Sequence, residues 1–281
     1  MNKKTNEELL NLVEKATAGD KSSLETIIRN VQDLVFNLSL RMLGTFPDAE
    51  DATQDILLKI MTHLSSFKGD SAFSTWVFSI AVNHLKNYKK HMFAKFPLSF
   101  EFYGEDIKNG KIDDIPDLTQ NVEKSILAEE LKMSCTNVML QCLDTESRCI
   151  FILGTMFKVD SRIAGDILGI TPEAYRQRLS RIRGKMADFL KEYCGEYGNG
   201  TCHCADRVNY AIQNHRISPG RLDFTSALPV ETIVEVKEAM EDIDGLSQKF
   251  SFCKTYQSPA SLKEFIMKFL DGDSFSVVRN A

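Results

Sequence analysis

The chain has no apolar run of the roughly 20 residues that a membrane-spanning helix needs. Its first residues, MNKKTNEELL, lack the apolar core of a signal peptide. We therefore expect a cytoplasmic protein that does not bind membranes. Its 281 residues are 43% hydrophobic and 26% charged, ordinary values for a soluble globular protein. This length allows one or two domains with real cores.

The chain also has no overall basic surplus, which argues at first against nucleic-acid binding, since its formal net charge is −5. This average hides patches of both signs. Residues 171–191 contain six basic residues against two acidic ones, and residues 101–130 contain nine acidic residues against three lysines. Binding depends on such local patches, so the net charge does not exclude a DNA-binding surface.

Signatures of an enzyme are missing as well. We find no phosphate-binding loop and no nucleophile motif, and the five histidines show no metal-ligand spacing. We find no internal repeat and no convincing strand pattern before residue 194, so the predicted fold class is all-α. A metal-dependent hydrolase stays open as an alternative only if the cysteine-rich region near residue 200 holds a catalytic metal.

Two adjacent segments of contrasting character predict two packed helices. The first, PDAEDATQDILLKIMTHLSSF, is acidic at its start and suits a basic protein partner. The second, FSTWVFSIAVNHLKNYKK, has apolar residues at three- and four-residue steps, which predicts one buried helix face that includes Trp76. Its polar residues form a separate stripe that suits nucleic acid. Together the two helices favour an adaptor rather than an enzyme.

A helix-turn-helix is predicted between residues 161 and 193. A short apolar-faced helix stops at Gly169, and Thr171 and Pro172 then begin a second helix as its cap and its first residue. Arg176 and Arg181 project away from its apolar face. In a helix-turn-helix the second helix enters the DNA major groove, although a solvated basic helix in a bundle is the alternative.

The remaining organisation follows from composition. Residues 1–96 form a first helical domain, and residues 97–122, rich in Asp, Gly and Pro, form a flexible acidic linker. Residues 123–193 form the helix-turn-helix domain. Residues 194–281 form a small, mostly helical extension, with helical periods near 230–240 and 262–270.

Two of these segments resemble a known family. The run DAEDATQDIL followed by FKGDSAFSTWVFSIAVNHLKNY resembles the second conserved region of bacterial RNA polymerase sigma factors of the extracytoplasmic-function (ECF) class, in the sigma-70 family. The segment DTESRCIFILGTMFKVDSRIAGDILGITPEAYRQRLSRIRGKM is similar to the fourth conserved region. Two departures, Ser161-Arg162 and Tyr175, stand where acidic and small aliphatic residues are common.

The resemblance implies a sigma factor without catalytic residues of its own. Such a protein binds core RNA polymerase at the β′ clamp and the β flap, reads the −35 and −10 promoter elements and melts the promoter. The linker would thread toward the polymerase active-site cleft, and an anti-sigma factor is a possible partner. The alternative is a helix-turn-helix regulator that binds duplex DNA without acting as a sigma subunit.

The resemblance also assigns roles to residues. Those expected to bind polymerase are Asp51, Gln54, Asp55 and Leu58, whereas for Asp48 and Glu50 we favour a local effect at the helix start. Those expected to bind the single-stranded −10 element are Lys68, Gly69, Asp70, Ser71, Asn83, Lys86, Asn87 and Lys90. Those expected to bind the double-stranded −35 element are Arg162, Thr171, Glu173, Ala174, Arg176, Gln177, Arg178, Arg181 and Arg183.

The extension contains three closely spaced cysteines, Cys194, Cys202 and Cys204. Zinc requires four tetrahedral sulfur or nitrogen ligands, and the spacing C-x7-C-x-C differs from the usual zinc knuckle. Three readings stay open: a structural zinc site, thiol-based redox sensing and plain packing. No cofactor is otherwise expected.

Overall fold

The computed structural model describes residues 3–88, 92–110, 116–226 and 256–271, with the side chains of 3–8 and 271 excepted. Regular structure in these ranges is helical, and the β-structure consists of two isolated bridges, Cys194–Cys202 and Ser218–Arg221. The predicted all-α fold class is confirmed. Within the described ranges, no helix combines the length and apolar character needed to span a membrane.

The chain divides into two compact units. The first contains residues 1–92 and 255–281, with the short run 166–169. The second contains residues 93–165 and 170–254. The domain boundaries drawn from the sequence stay predictions, but the extension from residue 194 contributes to both units.

In the first unit, the helices are α1 (Lys3–Thr17), α2 (Lys21–Leu43), α3 (Phe46–Thr62) and α4 (Phe73–Asn87), with a 3-10 turn at Leu64–Ser66. Helices α1, α3 and α4 pack around the central helix α2. Asp20 caps α2 by accepting the backbone N–H groups of Ser22 and Ser23. Gly44, at φ 87°, ends α2 in the left-handed conformation that glycine adopts without strain. Thr45 then caps α3.

The C-terminal helix α12 (Ala260–Asp271) packs on α2 and α3, which confirms the helix predicted near 262–270. Leu262, Ile266 and Leu270 are buried. The side-chain amide of Asn37 pairs with the backbone of Tyr256, with both N···O distances at 2.8 Å. The other predicted helix of the extension, near 230–240, lies outside the described residues.

The second unit begins with α5 (Met92–Lys95) and α6 (Phe100–Asn109), and continues with α7 (Lys124–Gln141) and α8 (Thr145–Phe151). A π-helical turn at Ile152–Met156 precedes α9 (Ser161–Leu168), whose residues 166–168 are assigned to the first unit, and α10 (Pro172–Tyr193). A 3-10 turn at Ala205–Arg207 leads into α11 (Val208–Gln213). Val208, Ala211 and Ile217 pack on Leu127 and Leu131 of α7.

Helix α6 corrects the prediction that residues 97–122 are a flexible linker throughout. Ser99 caps the helix by accepting the backbone N–H of Phe102 at 3.1 Å. Phe100 and Tyr103, one turn apart, are buried with ring centroids 5.1 and 5.7 Å from that of Phe189. The Asp-, Gly- and Pro-rich composition concealed a short amphipathic helix whose apolar partner lies far away in the sequence.

Candidate nucleic-acid and protein interfaces

A groove between α3 and α4 in the first unit has a volume of about 700 Å³. It brings together Asp55, predicted to bind polymerase, and Asn83 and Asn87, predicted to bind the −10 element. Protein-binding and DNA-binding candidates therefore share one groove. The other residues that line it are Lys59, His63, Ser66, Trp76, Ile80, His84 and Tyr88.

The acidic side of α3 offers two exposed carboxylates, Asp51 and Asp55, one helical turn apart. Gln54 and Leu58 are half-buried beside them. Burial raises the pKa of the nearby Tyr88 hydroxyl, and the negative charges of Asp51 and Asp55 raise it further. This surface is suited to a basic protein and disfavours nucleic acid on electrostatic grounds.

Asp48 and Glu50 have partners inside the chain. Asp48 accepts the hydroxyl of Thr45 at 2.7 Å and the backbone N–H of Met92 at 3.1 Å. Glu50 accepts the hydroxyl of Ser261 in the C-terminal segment. Both acids thus bind groups within the first unit, two of them far away in the sequence, and the helix-dipole effect expected for them stays a prediction.

The turn before α4 presents Lys68, Asp70 and Ser71 to solvent, while Gly69 is half-buried. Gly69 has φ +80°, and a Cβ there would lie 3.0 Å from Leu10, so both backbone and space favour glycine. On α4, Asn83 and Asn87 are exposed and Lys86 is half-buried. Lys90 lies outside the described residues.

Trp76 differs from its predicted core position. Phe73 is buried, and Trp76 stacks on it with ring centroids 5.4 Å apart. The indole itself is half-buried and lines the groove. The helical spacing of apolar residues correctly predicted that Trp76 lies on the apolar side of α4. That side, however, extends beyond the buried core to the edge of the groove.

His84 is a groove residue that the sequence analysis did not select. Its Nε2 lies 3.7 Å from a carboxylate oxygen of Asp55, and its side chain is 13% exposed. Burial lowers the pKa of His84, the positive charge of Lys59 lowers it further, and Asp55 opposes both. The sequence did contain a signal for this position, because His84 lies one helical turn from both Ile80 and Tyr88, which also line the groove.

The predicted helix-turn-helix elements are present as α9 and α10 in the second half of the chain. The turn contains Gly169 at φ +70°, and the Thr171 hydroxyl accepts the Ala174 N–H at 3.2 Å. Tyr175, the unusual core residue, is buried and donates its hydroxyl to the Ile150 carbonyl at 3.2 Å. Burial raises its pKa to about 12.

Gly154 makes room for Tyr175. A Cβ at Gly154 would lie 2.6 Å from the Tyr175 hydroxyl oxygen and 2.4 Å from a Leu179 methyl. A large aromatic residue in α10 is therefore matched by a glycine on the π-helical turn. This pairing accounts for the departure from the small residue common in related sequences.

The predicted −35 contacts on the exposed side of α10 differ in their partners. Gln177, Arg181, Arg176 and Arg178 are all exposed, but Arg176 pairs with Glu173 at 2.8 Å and Arg178 pairs with Glu146 at 2.5 Å. These exposed pairs can rearrange at low cost, since surface ion pairs contribute little. Arg162, on α9, is exposed and lies 3.4 Å from Asp160.

Arg183 is half-buried and engaged within the unit. Its guanidinium donates to the Thr155 hydroxyl and to the Gly154 carbonyl, both at 3.1 Å. Its contact with DNA stays a prediction, but the structure gives it a role in holding the π-helical turn against α10.

The three cysteines are half-buried free thiols. The backbones of Cys194 and Cys202 form an isolated parallel β-bridge, and Cys204 packs on α7. Burial raises the pKa of the Cys202 and Cys204 thiols. In the described part of the chain, no group of three or more His, Cys, Asp or Glu residues is arranged to hold a metal ion. A structural zinc therefore stays a prediction that this geometry does not strengthen, and the raised pKa values favour packing over redox reactivity.

Comparisons with known proteins find similarity to sigma factors. The family model for sigma-70 region 2 matches residues 27–91. The RNA polymerase sigma-H factor of Pseudomonas aeruginosa is 28% identical over 139 residues, which are 49% of this chain and 70% of that protein. The ECF RNA polymerase sigma-E factor of Escherichia coli K12 is 32% identical over 121 residues, 43% of this chain and 62% of that protein.

The ECF RNA polymerase sigma-E factor of Haemophilus influenzae is 31% identical over 121 residues, 43% of this chain and 63% of that protein. The match therefore spans less than two thirds of either sigma-E factor. A solved structure of CnrH in complex with the cytosolic domain of CnrY aligns with 64% of this chain and 94% of its own, at 20% identity and a TM-score of 0.44. Residues 27–91 thus match sigma-70 region 2, and the chain is similar to RNA polymerase sigma factors of the extracytoplasmic-function type.

Proposed function

We propose that this chain is a sigma factor that binds core RNA polymerase in the cytoplasm, reads −35 and −10 promoter elements and melts the promoter. The observation that carries this proposal is the shared groove of the first unit. There Asp55, on the exposed acidic side of α3, lines the same groove as Asn83 and Asn87, whose amides can hydrogen-bond to bases.

The acidic side would bind the β′ clamp, and the amide stripe would bind the −10 strand. Melted DNA must be held as unstacked single strands, which aromatic and amide groups do well. The half-buried Trp76 at the groove edge adds an aromatic face to that surface. Helix α10 would supply the −35 contacts through Gln177 and Arg181, and region 4 would bind the β flap.

The test begins with the purified protein, bacterial core RNA polymerase and the source genomic DNA, followed by sequencing of RNA 5′ ends. Discrete starts that share two upstream motifs, absent without the protein, are expected. If the protein binds duplex DNA but not polymerase, the helix-turn-helix regulator replaces this proposal.

Charge reversal assigns the surfaces. Asp51→Lys with Asp55→Lys should weaken polymerase binding at least tenfold, while Glu14→Lys, an exposed acid on α1, should not. Arg181→Ala should reduce transcription only from promoters with an intact −35 element, with polymerase affinity unchanged. Equal polymerase affinity for the double reversal and the Glu14 control would refute the assignment of α3.

A further inference from the structure

Arg176 is held by both helices of the predicted helix-turn-helix. Its Nη1 donates to the hydroxyl oxygen of Ser161, the first residue of α9, at 2.9 Å. Its Nη2 donates to a carboxylate oxygen of Glu173, three residues earlier on α10, at 2.8 Å. All three residues belong to the second unit. The two ends of the guanidinium fork are therefore held by residues of two different helices.

These two bonds leave Arg176 at the edge of α10 that lies nearest to α9. The buried side of α10 contains Tyr175 and Leu179, and the exposed side contains Gln177 and Arg181. The Arg176 side chain is itself 54% exposed, so it stays open to a further partner. Arg176 is thus oriented and accessible at the same time.

The anchored guanidinium still has donors for a base. The bonds to Ser161 and Glu173 use one N–H of each terminal nitrogen, and the rigid plane of arginine carries further N–H groups. A pair of such donors matches the O6 and N7 acceptors of guanine in the major groove. Because the side chain of Arg176 is oriented before DNA binds, the base contact loses less conformational entropy.

The neighbouring arginines of α10 are held by other parts of the second unit. Arg178 pairs with Glu146 of α8 at 2.5 Å. Arg183 donates to the Thr155 hydroxyl on the π-helical turn at 3.1 Å. The contacts of Arg176 instead join α9 to α10, the two helices that are expected to meet DNA.

We propose that Ser161 is a positioning residue for base specificity, which together with Glu173 orients Arg176 toward one guanine of the −35 element. This inference rests on the proposed function, which supplies the −35 element. A neutral hydroxyl suits the task, because it orients the guanidinium without cancelling the charge that attracts DNA. A carboxylate at position 161 would add a second charged partner and hold Arg176 back from the base. Since exposed contacts of this kind contribute little to stability, the effect is expected in base choice rather than in folding.

The first test measures base choice with the full-length protein and core RNA polymerase. A barcoded promoter library randomised through the −35 element is transcribed, and RNA sequencing gives the preference for each base. Arg176→Ala should abolish the preference for guanine at one position. Ser161→Ala should reduce it about threefold at the same position, as the loss of one exposed hydrogen bond predicts. Ser161→Asp should reduce it as well.

Two controls separate positioning from a structural role. Ser161→Thr keeps the hydroxyl and should keep the guanine preference. Glu192→Gln removes an exposed acid at the far end of α10 and should change the preference at no position. If Ser161 only stabilised the fold, Ser161→Ala would weaken every −35 sequence alike and lower the urea midpoint of unfolding. That result, or an unaltered guanine preference, would overturn the proposal.

The second test uses the protein alone, with random duplex DNA and sequencing of the bound fraction. If wild type selects a guanine that depends on Ser161 and Arg176 but gives no discrete transcripts with polymerase, the sigma function fails and the positioning role stands. If transcripts start normally and Ser161→Ala selects the same bases as wild type, the positioning role alone fails. If neither assay selects a sequence, both fail.

Discussion

The buried carboxylate of Glu130 on α7 organises residues 223–225 of the extension, and removing its charge should loosen that segment. Glu130 is only 2% exposed to solvent. It accepts the backbone N–H groups of Asp223, Phe224 and Thr225 at 2.8, 3.0 and 2.8 Å. It also accepts the Thr225 hydroxyl at 2.9 Å.

Glu130→Gln keeps the shape but places an amide donor where one oxygen accepted N–H groups. A hydrogen bond to a charged group contributes about 1.5–3 kcal/mol, and an unpaired buried donor costs about 1–3 kcal/mol. Since the carboxylate holds several donors and only one oxygen is replaced, we expect a loss of about 3 kcal/mol in the free energy of opening this segment.

Two assays measure that loss. Hydrogen exchange at the amides of 223–225 should accelerate about a hundredfold, as about 3 kcal/mol implies, and urea unfolding followed by circular dichroism should show a lower midpoint. Glu123→Gln, at an exposed acid two turns earlier in the N-cap position of α7, should leave both unchanged. Unaltered amide protection in Glu130→Gln would show that the carboxylate does not organise the segment.

Three further predictions concern other sites. Asn37→Ala should lose both hydrogen bonds to Tyr256, at a cost of about 2 kcal/mol, and make residues 256–271 more sensitive to proteolysis. The control Asn30→Ala, at an exposed position on the same helix, should not. Equal cleavage of the two variants would contradict this prediction. Because burial lowers the pKa of His84 below 6.5, the unfolded chain binds more protons below that pH. Stability should therefore fall as the pH drops from 7 to 5, and His84→Gln should flatten this part of the stability curve; an identical slope in the variant would exclude His84 as the cause. Burial raises the pKa of Cys135 to about 12, so this thiol should react slowly with a disulfide reagent at pH 8 until urea is added, and fast native labelling at Cys135 by mass spectrometry would contradict its burial.

Local patterns predicted the helices whose signals are local. Thr171 as a cap, Pro172 at the first helical position and Gly169 at the turn are each visible within a few residues, and the structure has them there. The α3–α4 pair and the C-terminal helix also followed from apolar spacing. Each of these elements carries its own amphipathic period and its own stop signals.

Features that depend on distant partners were not predictable. Glu130 counted only as one acid in a negatively charged stretch, because its hydrogen-bond donors lie more than ninety positions later. Arg183 was grouped with the DNA-binding arginines, because nothing near it in sequence shows that Gly154 and Thr155 accept its hydrogen bonds. Phe100 and Tyr103 of α6 had the right spacing, but their burial depends on Phe189.

The two described parts of the extension bind different units, and this changes how deletions must be interpreted. Residues 205–226 supply the partners of Asp106 and Glu130, whereas residues 256–271 supply the partner of Asn37. Truncation near Gly195 would remove all of them, leaving a buried carboxylate at Glu130 without its donors and the apolar surface of α2 and α3 uncovered. Loss of transcription after truncation would therefore follow from instability alone, because a buried charge without partners costs several kcal/mol. Only single substitutions such as Asp106→Asn and Asn37→Ala, each beside an exposed control, can separate a regulatory role of the extension from its structural one.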